Sequence, residues 1–278
     1  MNSKSTNQAI GKTLIYLILI TFAAIMLIPF IWMITASLKY NKDIFVIPYQ
    51  WFGYEPQWHN YIDIWTKIPL ATFTKNTVKL TFIVTFFQLL TSSFAAYAFA
   101  KLRFKGRDLL FLAYIATIAI PWQSYMVPQF LFMRKLGLAD THLSIIILQA
   151  FTAFGVFMMR QFYEGIPDSL CEAARIDGMN EYQIYSTIML PLSKPALSTL
   201  TIFTFVNTWN DFLGPLIYLT SESKKTLQIG LKMFISQYSA EYGLIMAASC
   251  ISLIPVVIVF LSLQKYFVAG IASSGVKG

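Results

Sequence analysis

Charge, histidine and cysteine are all scarce in this 278-residue sequence. Only 12% of residues are Asp, Glu, Lys or Arg, against roughly 25% in a soluble domain. So little polar surface cannot enclose a soluble core of this size, which excludes an ordinary cytosolic enzyme and a disordered chain. Cys171 and Cys250 stand far apart without ligand-spaced neighbours, so neither a disulfide scaffold nor a cysteine metal site is indicated. His59 and His142 lie in separate segments, and no H-E-x-x-H occurs. An intramembrane aspartyl site needs two carboxylates sharing a proton, whereas the long apolar runs contain only Asp211. A membrane-embedded hydrolase is therefore disfavoured. Gly11-Lys12-Thr13 resembles the end of a P-loop, but Thr6 stands where the first glycine belongs. Nucleotide binding by this chain is not expected.

Apolar sequence is what abounds. Hydrophobic residues make up 56% and aromatics 16%, and the mean hydropathy is +0.60. They collect in six runs, 14–37, 80–100, 109–126, 142–159, 196–219 and 244–263, each near the roughly 20 residues needed to cross a bilayer as helix. The first exceeds a signal-peptide core of about 7–15 residues. The expectation is an all-α polytopic membrane protein, one domain over 1–278 with six transmembrane helices. A net charge of +8 lies between the runs, where anionic lipid is a better partner than nucleic acid. Lys101, Arg103, Lys105 and Arg107 crowd the connector 101–108; placing it in the cytoplasm puts both termini there too. The outer segment 39–79 carries Tyr40, Tyr49, Trp51, Phe52, Tyr54, Trp58, Tyr61 and Trp65, the composition of an interfacial belt.

The loop 160–194 is different in kind. It opens on the turn Gly165-Ile166-Pro167-Asp168, and Ser169 with Glu172 has the S-x-x-E form of a capping box. Gly178 stands where a left-handed helix-ending residue belongs, and Asn180 with Gln183 resembles a second N-terminal cap. Tyr182, Tyr185, Ile188 and Met189 fall on one helical face, and Pro191 and Pro195 close the unit and open the fifth run. A helix–turn–helix on the cytoplasmic side is expected.

Glu172-Ala173-Ala174, then Gly178, Ile188 and Leu190-Pro191, match the EAA loop of ABC importer permeases in order and spacing. Gly165-Ile166-Pro167, Ile176-Asp177-Gly178, Trp209-Asn210-Asp211-Phe212 with Pro215-Leu216, and the terminal Gly275-Val276-Lys277-Gly278 resemble the carbohydrate-uptake subfamily. Within it the chain is most similar to the shorter permease of the maltose type, with Met179 where alanine is frequent. The resemblance implies the type I importer permease fold in the cytoplasmic (inner) membrane, carrying a mono- or oligosaccharide. It implies coupling to an ATPase through Glu172, Ala173, Ala174, Asp177, Gly178, Ile188, Leu190 and Pro191. A further ATPase contact is implied for Gly275, Val276, Lys277 and Gly278 in the tail 265–278. The implied partners are a homologous second permease, two ATP-binding subunits and an external solute-binding protein, besides the lipid bilayer and without nucleic acid. ATP and Mg²⁺ would belong to those subunits, and this chain would hold no cofactor or metal and catalyse nothing.

Polar residues inside spans are costly and face a water-filled route or glue helices together. Candidates for the route are Asn207, Trp209, Asn210 and Asp211, with Gln88 and Ser92 in the second run and Trp122 and Gln123 after Pro121. In a helix starting at Ala196, Asp211 would lie about 22 Å along, past the midplane. Aromatic faces and amides suit a neutral sugar. Two other readings compete. A self-sufficient transporter or channel for a small polar solute leaves the EAA loop unexplained. A glycerol-phosphate-type ABC permease would want a cation in the runs, which hold no Lys or Arg.

Overall fold

The computed structural model describes residues 2–53, 55–235 and 241–275, with side chains over 11–53, 55–235 and 241–266. The chain is built from helices: α1 (Asn2–Ser37), α2 (Asn60–Thr66), α3 (Leu70–Lys101), α4 (Arg107–Ala116), α5 (Met126–Lys135), α6 (His142–Gln149), α7 (Ala153–Glu164), α8 (Asp168–Ile176), α9 (Glu181–Ile184), α10 (Leu190–Leu192), α11 (Lys194–Trp209), α12 (Leu213–Tyr218), α13 (Leu227–Met233) and α14 (Tyr242–Gly275). Among the described residues four helical stretches are long and apolar enough to cross a membrane: Gly11–Ser37, Leu70–Lys101, His142–Glu164 and Tyr242–Tyr266. A fifth arises if Glu181–Leu192 and Lys194–Trp209, bent by 77°, count as one.

Six uninterrupted helices are therefore not what forms, and proline explains most of the difference. The run 109–126 breaks because Pro121 has no N–H and pushes Ile120 out of helical geometry (φ −88°, ψ 110°). The run 196–219 breaks at 210–212: in a continuous helix Pro215 would clash with the carbonyl of Asp211 and leave it unbonded. Asp211 thus sits in the gap between α11 and α12 rather than within a helix. The run 142–159 is interrupted at 150–152, where Thr91 Oγ1 donates to the freed Ala150 carbonyl at 2.6 Å. Conversely, α3 starts at Leu70 rather than near 80. An uncharged run marks the hydrocarbon-spanning part of a helix, and Lys75 and Lys79 extend it into the polar zone.

The chain divides into two compact units, residues 1–68 with 231–253 and residues 69–230 with 254–278. In the first, residues 12–31 of α1 are exposed throughout, as suits a helix apolar on every side and bathed in hydrocarbon. The C-terminal end of α1 is organised around the buried Lys39, whose ammonium donates to the Gln50 carbonyl and lies 4.0 Å from the Tyr49 ring centroid. Nearby, Ser37 Oγ and Tyr61 Oη are 2.7 Å apart, and Asn60 Nδ2 donates to the Ser37 carbonyl at 2.8 Å. Trp58 and Phe52 remain exposed, by 66% and 84%, so the aromatics of this segment are only partly absorbed by the fold.

The second unit is assembled around α3. Its N-terminal end is tied down by Asn76 Nδ2, donating to the carbonyls of Ser223 and Lys225 (both 2.9 Å), and by Thr77 Oγ1, accepting from Leu227 N (2.8 Å). Asp140, at φ 57°, accepts from the backbone of Thr220 and Ser221 and from the Ser221 hydroxyl and Lys224 ammonium. These donors hold its carboxyl well below the usual carboxylate range, the Ser221 hydroxyl most strongly. Midway, α7 presses on α3 at Gly155, where a Cβ would fall 2.4 Å from Ser92 Oγ.

That close approach has a measurable consequence. Gly155→Ala should destabilise the detergent-solubilised protein by about 1–3 kcal/mol through overpacking, read as a lower Tm. Adding Ser92→Ala should restore part of the loss, because the hydroxyl it removes is in the way and has no hydrogen-bond partner among the described residues.

Candidate functional site

Two places gather the chemistry-bearing residues, both in the second unit. The first is the loop unit of α8, α9 and α10. Pro167, extended at φ −58° and ψ 134°, holds the N-cap position of α8, so the helix starts at Asp168 and Ser169 lies inside its first turn. The expected Ser169–Glu172 capping box does not form. Among the described residues Glu172 has no hydrogen bond or ion pair, and its carboxylate is exposed. The helix ends as expected: Gly178 adopts φ +82°, Met179 N bonds the Ala174 carbonyl at 3.0 Å and Gly178 N bonds that of Arg175 at 3.1 Å. This is a Schellman closure, in which an apolar residue after the glycine packs back onto the helix. Met179 supplies that contact. Asn180 and Gln183 form a reciprocal capping box.

The inner face of α8 is Cys171 and Ala174, packed in a cluster with Ala96, Tyr97, Met159, Tyr163, Tyr185 and Met189. Outward face Glu172, Ala173 and Ile176, the last 86% exposed. The two alanines therefore split, Ala173 outside and Ala174 inside. Beyond α9 the backbone makes a π-turn, Tyr185–Met189. The extra residue per turn shifts the helical phase, so Tyr185 and Met189 are buried while Tyr182 is exposed and stacks on Phe94. Ile188 and Leu190 are half-buried and Pro191 and Asp177 exposed.

Charge bonds the unit to α3. Lys101 Nζ donates to Asp168 Oδ1 at 2.5 Å and to the Ile166 carbonyl at 2.6 Å, with its side chain 3% exposed. Tyr97 Oη donates to Glu181 Oε2 at 2.5 Å, and Arg175 Nε to Glu181 Oε1 at 2.7 Å. The Lys101 ammonium holds the Asp168 carboxyl below its ordinary value, and Arg175 does the same for Glu181.

The second place is a cavity of about 690 Å³ beside the breaks in 150–152 and 210–212, lined by Gln88, Trp122, Tyr125, Gln129, Gln149, Asn207, Thr208, Asp211 and Tyr218 together with apolar side chains. Asp211 Oδ2 accepts from Gln149 Nε2 at 2.7 Å and Oδ1 from Gly214 N at 3.0 Å. A side chain at 214 would strike that carboxylate, since a Cβ there lies 2.5 Å from Oδ2. Gln129 Oε1 accepts from Trp122 Nε1 (2.8 Å) and Tyr218 Oη (3.1 Å). The lining contains one carboxylate and, among the described residues, no Lys or Arg.

Of the route candidates, Gln88, Trp122, Asn207 and Asp211 meet at this cavity. Trp209 does not: it is buried and stacked on Phe205, with ring centroids 5.6 Å apart. Asn210 bonds Val206 and Gln228, Ser92 is buried against α7, and Gln123 is exposed outside the lining. Gln149 was missed, although an amide inside the run 142–159 is the same signal that marked Gln88. Gly275 closes α14, while Val276, Lys277 and Gly278 lie outside the described residues.

Residues 88–273, which include the loop unit and the cavity lining from Gln88 onward, match the family described as binding-protein-dependent transport system inner membrane component. The chain belongs to that family. It is 40% identical over 220 residues to the arabinooligosaccharides transport system permease protein AraQ of Halalkalibacterium halodurans, covering 79% of each chain. The lactose transport system permease protein LacG of Rhizobium radiobacter is 30% identical, with 93% of this chain and 94% of that one aligned. Melibiose/raffinose/stachyose import permease protein MelC of Bacillus subtilis is 32% identical over 90% and 91%. Among solved structures, a bacterial ABC transporter involved in the import of the acidic polysaccharide alginate superposes with a TM-score of 0.81 at 29% identity, covering 94% of this chain and 98% of that one. This protein is thus a multi-pass inner-membrane permease, the non-catalytic component of a system that also comprises a binding protein and an ATPase.

Two measurements test the permease's loop unit. Gly178→Ala meets no neighbour within 4 Å, so its cost is backbone strain alone, roughly 1–2 kcal/mol; the Tm in detergent should fall, and Gly178→Asn should fall less. For the Lys101–Asp168 pair, the depressed carboxyl of Asp168 means stability that is present at neutral pH and lost as pH falls through its folded value. The Tm gap between the native permease and Asp168→Asn should therefore hold from pH 7 down to about 5, narrow below the ordinary carboxylate pKa of about 3.9, and close only once the pH has fallen through the lower folded value.

Proposed function

We propose that this permease carries a neutral mono- or oligosaccharide across the inner membrane, driven by ATP hydrolysis on its partners. One observation carries the choice of solute: the 690 Å³ cavity offers Trp122 and Tyr125 rings, Gln88 and Asn207 amides and one carboxylate, with no cation in its described lining. Rings stack on the C–H face of a sugar, while amides and a carboxylate bond its hydroxyls. The volume lies within the roughly 300–1,000 Å³ of small-molecule sites. An anionic solute would meet Asp211 without compensation, which argues against a glycerol-phosphate-type permease. A self-sufficient transporter is set aside by membership in a binding-protein-dependent family.

The same reading assembles the system as a pair of homologous permeases with two ATP-binding subunits, which hold ATP and Mg²⁺, and an external solute-binding protein. The chain crosses six times with both termini in the cytoplasm, the third crossing being the broken pair α4–α5 and the fifth the broken pair α11–α12. Lys101 bonding Asp168, and Arg160 bonding Asp108 at 3.4 Å, support placing the basic connector and the loop unit on one side. Glu172, Ala173 and Ile176 face the ATPase, Gly178 and Asp177 set the angle of α8, and Ile188, Leu190 and Pro191 lead into α11. Gln88, Trp122, Asn207 and Asp211 line the route. The tail 265–278, with Gly275, Val276, Lys277 and Gly278, reaches toward the ATPase.

Calorimetry on the cognate binding protein with neutral saccharides and their uronates tests the solute class: neutral sugars should bind, and exclusive binding of uronates or sugar phosphates would overturn it. For the sugar so identified, Gln88→Ala with Asn207→Ala should lower uptake by about tenfold or more, as two lost hydrogen bonds of about 1 kcal/mol each predict, with the ATPase still co-purifying.

A further inference from the structure

Three polar side chains of α3, Ser93, Tyr97 and Lys101, recur every four residues and so form one stripe along that helix. Each holds a different part of the loop unit. Ser93 Oγ lies 2.7 Å from Tyr185 Oη in the π-turn, Tyr97 Oη donates to Glu181 at the start of α9, and Lys101 donates to Asp168 at the start of α8 and to the Ile166 carbonyl before it. Between these rungs the contact is filled by Ala96, Cys171, Ala174 and Ile184.

Covalent routes lead from this unit into the membrane at both ends: back through the turn 165–167 to α7, which reaches only to the break at 150–152, and forward through the π-turn, then Pro191, then the 77° bend before α11. Proline and π-turns are where helices kink, because their hydrogen-bond ladders are interrupted. The remaining, non-covalent route is α3, which runs 32 residues from Leu70 to Lys101 without Pro or Gly. Gln88, on the wall of the cavity, lies thirteen residues before Lys101, about 20 Å along the same helix. Movement of α8 reaches α11 across an elbow, but reaches the cavity wall along an unbroken rod.

We propose that α3 transmits the motion of the loop unit to the solute cavity, with Ser93, Tyr97 and Lys101 as the positioning residues that fasten it. This rests on reading the loop unit as the ATPase-facing element, and the test separates the two. It uses the complete importer with its ATPase subunits and binding protein in liposomes, and N-ethylmaleimide as the probe. In a Cys171→Ala, Cys250→Ser background, one reporter is Gln88→Cys in the cavity and a second is Ile176→Cys on the outer face of α8.

ATP with vanadate should change the labelling rate of Gln88→Cys by about fivefold or more, the lower range of allosteric coupling, and ATPase docking should protect Ile176→Cys. Combining Lys101→Met with Tyr97→Phe should abolish the cavity response while Ile176→Cys stays protected. The charge exchange Lys101→Glu with Asp168→Lys should recover a response that Lys101→Glu alone lacks, with Ile176→Cys protected in both, which loss of the loop unit's structure would not predict. Should Lys101→Met fail to fold, Tyr97→Phe and the exchange pair decide. A full cavity response in Lys101→Met/Tyr97→Phe, or an exchange pair no better than its single parent, overturns the rod. An unprotected Ile176→Cys, or an unresponsive parent, overturns the coupling reading itself.

Discussion

The continuity of α3 is the constraint on which the second unit depends. No Pro or Gly interrupts it between Leu70 and Lys101, and both ends are bonded to loops. Asn76 and Thr77 hold the segment 223–227 at one end, and Tyr97 and Lys101 hold Glu181 and Asp168 at the other. The buried end of Lys101 is the more demanding contact. An ammonium 3% exposed needs a carboxylate and a carbonyl to offset lost hydration. Asp168 keeps 69% of its side chain in solvent, so the pair contributes less than a fully buried one. Its value lies as much in geometry, since it sets where α8 begins relative to α3.

Around this rod three apolar runs, 109–126, 142–159 and 196–219, are broken, and the cavity lies beside the breaks. Each interruption frees backbone groups that hydrocarbon cannot satisfy, so the protein supplies partners. Thr91 serves the Ala150 carbonyl, and Asp211 accepts the Gly214 N–H at the start of α12. Gln149 then spans the two breaks by donating to Asp211. The groups that repair the backbone are thus the polar groups a sugar would meet. Asp211 both joins the two breaks and lines the cavity, through the same carboxylate.

Local chemistry was readable where it depends on neighbours in the chain. Gly178 ends α8 because only a residue comfortable at φ +82° can make that turn, and Asn180 caps α9 because Gln183 lies one turn on. Ser169 failed as a cap for a reason the local pattern conceals. Pro167 sets the entry angle, and Lys101, sixty-seven residues away in sequence, fixes Asp168 as the first helical residue. Ala173 and Ala174 look equivalent in a row of letters, and only the packing of α3 and α7 tells them apart. Lys101 read as an orientation charge because nothing nearby in sequence shows its partner.

The family was signalled by the resemblance of one loop to the EAA motif. Composition and spacing alone determined that this is a membrane-embedded helical protein in which that loop stands apart from the apolar runs. Those properties follow from hydropathy and short-range hydrogen bonding, which a linear sequence encodes directly. The tertiary structure alone decided where crossings break, which of eight route candidates meet at a cavity, and which helix the loop unit grips. Those depend on the partners that unsatisfied backbone and buried charge find across long sequence separations, and such partners exist only once the chain has packed.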